Sequence, residues 1–542
     1  MIRKKTMLGL LLSFSIIMSM TTGCSSSKNT SADTENVSQT AVTENSLPLT
    51  DKPVTLKYWV TNASSEQIKN YNETLSMQEI ERKTGVHIEF IHPTAGQEQQ
   101  AFNLMLASDD MPDIIQEREG TIYYPGGPDK AIADGVYLKL NDLIEKYAPN
   151  YSKLMSKNPT VAKLTVTDSG NRWAFFHLTD GAEPAWTGFV VRKDMLDKVG
   201  LKTPVTLDDW HEVLTAFKTK LNVEAPLLLP NTGVPLFNQI LSAWDIGGSF
   251  YQVNGKVKYG PCQPEYKEYL TLMNQWYKEG LIDKDFMGRT DAGFEIMAPA
   301  NLAASNKTGM FSTLWGLTAN AYIIYGNVKD NPDFYLEAIQ APKKTPDQKI
   351  KFNYPSYEVR EGTAITKSCK NPILAVKWLD YLYTEEGSNI VNYGKENDTF
   401  ILKDGKPVWT DKVLKASGDL TPNAAMHKYA RWDGPGVVDY KRMWQVYNAS
   451  GQSASLEACN VWAKDGIDYV MPPVTLTSDE SSEFSNIMPD ITTYVNEMTV
   501  KFIIGTEPLS KFDDFVKQIN NMRIEEAIKI QQTALDRFNN RK

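Results

Sequence analysis

The chain has 542 residues, 42% hydrophobic and 23% charged, which excludes a wholly disordered or fibrous protein; at about 100 to 200 residues per domain it is too long for one core. Lys and Arg total 57 against 66 Asp and Glu, a net charge of -9, and there is no run of five basic residues to track a phosphate backbone, so nucleic acid is not an expected partner. The 12 Trp, 25 Tyr and 20 Phe are enough to furnish both a core and an aromatic binding surface.

The first element is an address. Arg3, Lys4 and Lys5 precede an uncharged apolar stretch over 7–20 and the small residues Thr21, Thr22 and Gly23, the layout of an export signal. The stretch falls short of the roughly 20 residues that cross a bilayer. It resembles a bacterial lipoprotein signal, with Thr21 where that pattern usually has Leu. The resemblance implies cleavage after residue 23 and attachment of lipid, such as palmitate, to Cys24. Loss of 1–23 removes three positive charges and no negative ones. Residues 24–50 are rich in Ser, Thr, Asn and Glu and lack aromatics, the composition of a flexible tether, spanning roughly 28 Å as a coil.

From residue 51 short β-branched or aromatic runs alternate with amphipathic stretches. Strands are predicted over 54–60, 86–91 and 113–116 and helices over 68–83 and 98–107, with Pro112 barring continuation of the second helix. This β-α-β-α-β order predicts a doubly wound sheet, whose ligands sit beyond the carboxyl ends of the strands. The order repeats: a strand over 188–192, a helix over 193–199 stopped by Gly200, and a helix over 207–221 capped by Thr206 with Asp209. Helices are also predicted over 264–279 and 372–383, with Pro in the first turn, and over 523–538. No fixed-period repeat points to a solenoid or propeller.

The segments ASDDMPDII (107–115), GVYLKLNDLIEKYAPN (135–150), VRKDMLDKVGLKTPVTLDDW (191–210), GLIDKDF (280–286), ITKSCKNPILAVKWLDYLYTEEGSNIVNYG (365–394) and the stretch 501–538 with its ALDRF ending resemble extracellular solute-binding proteins of carbohydrate ABC importers. The resemblance covers nearly the whole mature chain. It is closest to the long lipoprotein branch associated with fragments of complex polysaccharides, and more distant from the maltose-binding type. It implies an α/β fold of the two-lobed periplasmic-binding-protein kind (type II). Residues 51–175 with 360–415 would form lobe one, and 176–359 with 416–542 lobe two. The chain would cross between lobes near 171–190, 355–366 and 410–425. The implied function is capture of an oligosaccharide by a monomer, anchored outside the cytoplasmic membrane through Cys24, and delivery to ABC permease subunits.

A sugar offers an apolar C–H face and a rim of hydroxyls, so its site needs flat rings and planar polar groups but no nucleophile. Eight residues are candidates. Trp315, in KTGMFSTLW (307–315), resembles a ligand-stacking Trp of the family, with core packing as the alternative. Trp59 ends the first strand; Glu117 and Arg118 follow the third, where a solvated loop is the competing reading. Asn231 and Phe237 lie in a Pro- and Gly-bearing loop of the second lobe. Tyr357 lies near a crossing, and Trp432 lies in RWDGPG (431–436).

Catalysis, cofactors and metals are not expected. The chain has no Gly-x-Ser-x-Gly, no His-Glu-x-x-His and no phosphate loop, and 66 acidic residues make a pair at glycosidase spacing inevitable and uninformative. An exported glycan-degrading enzyme and a peptide- or signal-binding lipoprotein are the alternatives. The acidic calcium loop of many relatives is missing after the helix that contains Trp210. Asp283 and Asp285 read as turn and cap residues, since Phe294 stands where an EF-hand requires Glu. His87, His92, His177, His211 and His427 read as strand-end or surface residues. Cys262, Cys369 and Cys459 read as buried free thiols, one bridge being the alternative.

Overall fold

The computed structural model describes residues 46–541 apart from 119–121, 180–184, 186, 230–236, 288–301, 315–330, 332, 353–358, 419 and 451–453. Its strands in chain order are β1 (Val54–Trp59), β2 (Val86–Ile91), β3 (Ile114–Gln116), β4 (Ala174–Thr179), β5 (Thr187–Arg192), β6 (Ala225–Leu228), β7 (Phe250–Val253), β8 (Lys256–Tyr259), β9 (Thr308–Leu314), β10 (Leu336–Ile339), β11 (Val359–Ile365), β12 (Phe400–Lys403), β13 (Lys406–Trp409) and β14 (Gly436–Val438). Six form one sheet, ordered β14-β4-β11-β3-β1-β2, and four form a second, ordered β10-β5-β9-β6. The pairs β7-β8 and β12-β13 are separate hairpins. They turn on Asn254-Gly255 and Asp404-Gly405, all four residues having positive φ, as a two-residue turn that matches strand twist requires.

The mixed α/β fold with two lobes predicted from sequence is the fold observed. In the first sheet β1 pairs in parallel with β2 and β3, and β4 with β14, while β11 runs antiparallel between β3 and β4. Every residue of β3 and β4 is buried, the expected state of central strands covered on both faces. The second sheet splits its side chains the same way. Phe189 and Val191 of β5 join a cluster with Trp210, Trp276 and Ile491, whereas Val190 between them joins Phe311, Trp409 and Met426, the period of two expected of a strand.

The helix predicted over 207–221 is Leu207–Leu221, closed by the Thr206 and Asp209 capping box and ended by Asn222 at φ 55. Only two residues separate Asn222 from β6. The helix predicted over 68–83 starts later. Asn70 accepts the Asn72 N–H and caps a single turn, Tyr71–Glu73, and Thr74 then accepts the Met77 N–H to start Leu75–Thr84. Two successive polar caps take backbone donors that a continuous helix would pair internally. Cys262, Cys369 and Cys459 are free; Cys369 and Cys459 are buried, but Cys262 is only half-buried. Asp283 accepts the Asp285 N–H at 3.1 Å, a turn as predicted.

Candidate functional site

Strand direction locates the site. In the first sheet the carboxyl ends of β1, β2, β3, β4 and β14 and the start of β11 share one edge. In the second, the ends of β6, β9 and β10 and the start of β5 share one edge. Open α/β sheets bind ligands beyond such edges. Trp59 ends β1, Glu117 and Arg118 follow β3, and Phe237 opens the helix Phe237–Leu241 on the connection after β6. Asn231 belongs to that connection in sequence, Trp315 follows β9 and Tyr357 precedes β11; these three lie outside the described residues, as does Cys24.

Trp59 is 2% exposed. The rings of Tyr123 at 5.3 Å and Phe102 at 6.5 Å stand edge-on to it, so its surroundings in this structure are those of a core residue. Glu117 is also 2% exposed. Its carboxylate accepts the Tyr123 N–H at 2.8 Å and the Tyr137 hydroxyl at 2.7 Å. Burial pushes the acid up to about 7 against those two hydrogen bonds. Glu117 thus ties the chain on either side of 119–121 together and holds the ring that covers Trp59. Arg118, next to it, is exposed and lies 3.6 Å from Glu98.

Trp432 is half-buried, with its Nε1 buried and without a hydrogen-bond partner and its ring 5.9 Å from that of His427. Burial and the nearby Arg442 lower His427 to about 4, so it is neutral at pH 7. Both neighbours of Trp432 are buried. Arg431 donates to Asp433 at 3.2 Å and to Gln116, the last residue of β3, at 2.6 Å. The Tyr71 hydroxyl donates to Asp433 at 2.6 Å, the Tyr58 hydroxyl to Gln116 at 2.7 Å, and the Gln116 amide to the Asp433 carbonyl. The Arg431 guanidinium lies 4.6 to 5.3 Å from the Tyr71, Tyr58 and Phe90 ring centres, contacts worth about 0.5 to 2 kcal/mol each. Sequence reading singled out Trp432 and missed this network; the visible signal was an Arg and an Asp flanking the Trp two residues apart.

The histidine reading needs correction at His427, half-buried within the helix Pro422–Tyr429, and at His177. His177 is neither a surface nor a strand-end residue: it is 1% exposed within β4, with Nδ1 3.2 Å from a Glu361 oxygen on the neighbouring β11. Burial pushes the Glu361 carboxyl up, but His177 and Arg360 beside it outweigh that and hold it at about 2. Strand pairing created the contact, and no local spacing could reveal it. His211 lies 2.6 Å from Glu279 and His87 2.9 Å from Glu81, both at the surface. Among the described residues no group of three or more His, Cys, Asp or Glu could hold a metal ion, and no helix is long and apolar enough to cross a membrane.

Known proteins are similar to this chain in sequence and fold. The fructooligosaccharide ABC transporter substrate-binding protein FusA of Streptococcus pneumoniae serotype 4 is 26% identical over 535 residues, covering 91% of each chain. The polygalacturonan/rhamnogalacturonan-binding protein YtcQ of Bacillus subtilis is 26% identical over 221 residues, 39% of this chain and 42% of YtcQ. Among solved structures, alginate-binding protein AlgQ2 without calcium ion superposes with TM-score 0.64 at 26% identity, covering 91% of this chain and all of that one. FusA in complex with kestose has the same fold, with TM-score 0.66 at 21% identity over 90% of this chain and all of its own. The model of the bacterial extracellular solute-binding protein family matches residues 74–389, more than half the length, and the chain belongs to that family.

Proposed function

We propose that this protein is a lipoprotein, anchored by Cys24 to the outer face of the cytoplasmic membrane, that captures an oligosaccharide between its lobes and passes it unaltered to an ABC importer permease. The observation that carries this reading is the likeness to a fructooligosaccharide-binding protein over 91% of both chains. Lobe one would be 51–175 with 360–415, and lobe two 176–359 with 416–542. Each would lend a piece to the other: residues 176–179 and 436–438 of lobe two join the first sheet beside β11, and Tyr393 and Trp409 of lobe one pack in the cluster that includes Val190 and Phe311.

The ligand would lie between the two carboxyl edges. Trp315 and Trp432 would face its C–H surfaces, and Arg118, Asn231, Phe237 and Tyr357 would contact its rim. Trp59 and Glu117 would support these contacts from behind. A ligand that touches both lobes favours the closed arrangement by its extra contacts there, and the permease would read the closed form.

Calorimetric titration with xylan, pectin, mannan, glucan and fructan oligosaccharides tests the reading, with micromolar or tighter binding of one class expected. Silence across the panel overturns it. New reducing ends after incubation would instead reveal an enzyme, and binding of peptides a peptide receptor. Lipidation is tested by Cys24→Ser, expected to release the protein from the membrane fraction.

A further inference from the structure

We infer that Arg431, Asp433 and Tyr71 are positioning residues for ligand capture: they clasp the segment 431–436 onto β1 and β3 and thereby fix Trp432 at the edge of the first sheet. The inference rests on the proposed role of Trp432 and adds residues that touch no ligand. Trp432 makes no hydrogen bond through its own Nε1, so its placement depends on the residues either side of it. Both are locked. Arg431 is 2% and Asp433 6% exposed, and their partners Tyr58, Tyr71 and Gln116 lie more than 300 residues away in sequence. Tyr71 is itself fixed by the Ala63 N–H, which donates to its hydroxyl at 2.9 Å.

The segment is built for this contact. A Cβ at Gly434 would stand 2.9 Å from the Arg431 guanidinium carbon, so a larger residue there would push the guanidinium from its place over the loop. Gly436, at φ 134, then delivers the chain to β14. Three aromatic rings surround the guanidinium, and Asp433 spends one oxygen on Arg431 and the other on Tyr71. Arg431 and Asp433 form the only pair of opposite charges within this network among the described residues, and each holds a neutral partner from another part of the chain. The result is a rigid mount on the first sheet for a half-exposed ring. A flat platform fixed before the ligand arrives does not lose side-chain entropy on binding.

The test uses Tyr71→Phe, which deletes one hydroxyl without opening a cavity, in the full mature chain. In the ligand-free protein, amide exchange over 431–436 should accelerate about tenfold while β5 and β9 stay unchanged; unchanged exchange over 431–436 overturns the clasp. The same variant should bind the wild type's preferred oligosaccharide about tenfold more weakly, in line with loss of one hydrogen bond to a charged group. In a Trp432→Ala background that weakening should vanish, since a positioning effect cannot outlive what it positions. An equal weakening in both backgrounds overturns positioning through Trp432, whereas wild-type silence toward every sugar sinks the functional reading and leaves the exchange result to decide the clasp.

Discussion

Among the described residues the same spacing, Arg-x-Asp, occurs twice, once against each of the two sheets, and the two copies do different things. At the end of β5, Arg192 and Asp194 close a local fork, with Nε and Nη2 each 2.7 Å from a carboxylate oxygen. The guanidinium lies 4.3 Å from the Phe334 ring centre and donates to the Ala303 carbonyl at 2.5 Å. Before β14, Arg431 and Asp433 share a single contact at 3.2 Å and spend their other groups on Gln116 and Tyr71. The first pair closes on itself through two bonds and ties the end of β5 and the helix Lys193–Val199 to Ala303 and Asn306; the second pulls β1, β3 and the turn Tyr71–Glu73 onto a loop. Identical spacing therefore says little about role; the destination of the remaining hydrogen bonds decides it.

The largest expected effect separates the two. Asp194→Ala leaves a fully buried guanidinium without its carboxylate, which should cost about 3–5 kcal/mol of stability in thermal or denaturant unfolding. Below the transition it should leave oligosaccharide affinity within about twofold. Asp433→Ala should cost a similar amount and also weaken binding. If Asp194→Ala weakens binding as much as Asp433→Ala does, the division between staple and clasp is wrong.

The same contrast explains what was legible in the sequence. Elements set by local rules were read nearly to the residue: Leu207–Leu221 from its capping box, Lys193–Val199 from Gly200, and β2 from its alternation. Ser478–Ile504 was not anticipated, because Pro489 falls inside it and proline ordinarily argues for a break. At the site, position was legible: strand ends place Trp59, Glu117 and Arg118 at one edge. Role was not, because the burial of Trp59 under Tyr123 and the clasp on either side of Trp432 arise from residues far apart in the chain.

Glu117 gives an intermediate, pH-dependent effect. Its pKa rises from an ordinary carboxylate value to about 7 on folding. The folded chain therefore keeps a proton that the unfolded chain releases, and stability falls as pH rises from about 4.5 toward 7. The loss levels off above about pH 8, at on the order of 3 kcal/mol in total. Glu117→Gln can still accept from the Tyr123 N–H and donate to the Tyr137 oxygen, and it does not ionise. Unfolding at pH 5 and pH 8 should show the wild type losing ground to the variant at the higher pH. A constant difference between them would mean that the carboxyl titrates in its normal range, and that its hold on Tyr123 is no different from a surface contact.

The smallest expected effect lies at the opposite edge of the first sheet. Asp168, between the helix Pro159–Leu164 and the start of β4, accepts from Arg537 at 2.9 Å and Arg541 at 2.6 Å. Arg537 also pairs with Glu480 at 2.6 Å, joining the last helix, Ile524–Asn540, to Ser478–Ile504. Like the Arg431 clasp it links distant segments, yet Asp168 is 15% and Arg537 26% exposed, against 4% for Arg541, so water and salt compete for part of its charge. Asp168→Asn should therefore cost about 1 kcal/mol, less at high ionic strength, where the Asp433 variants should be indifferent to salt. Lying at the amino ends of the strands, it should leave sugar affinity unchanged. A salt-independent loss of several kcal/mol, or a weakened Kd, would show that distance in sequence rather than burial sets the worth of these contacts.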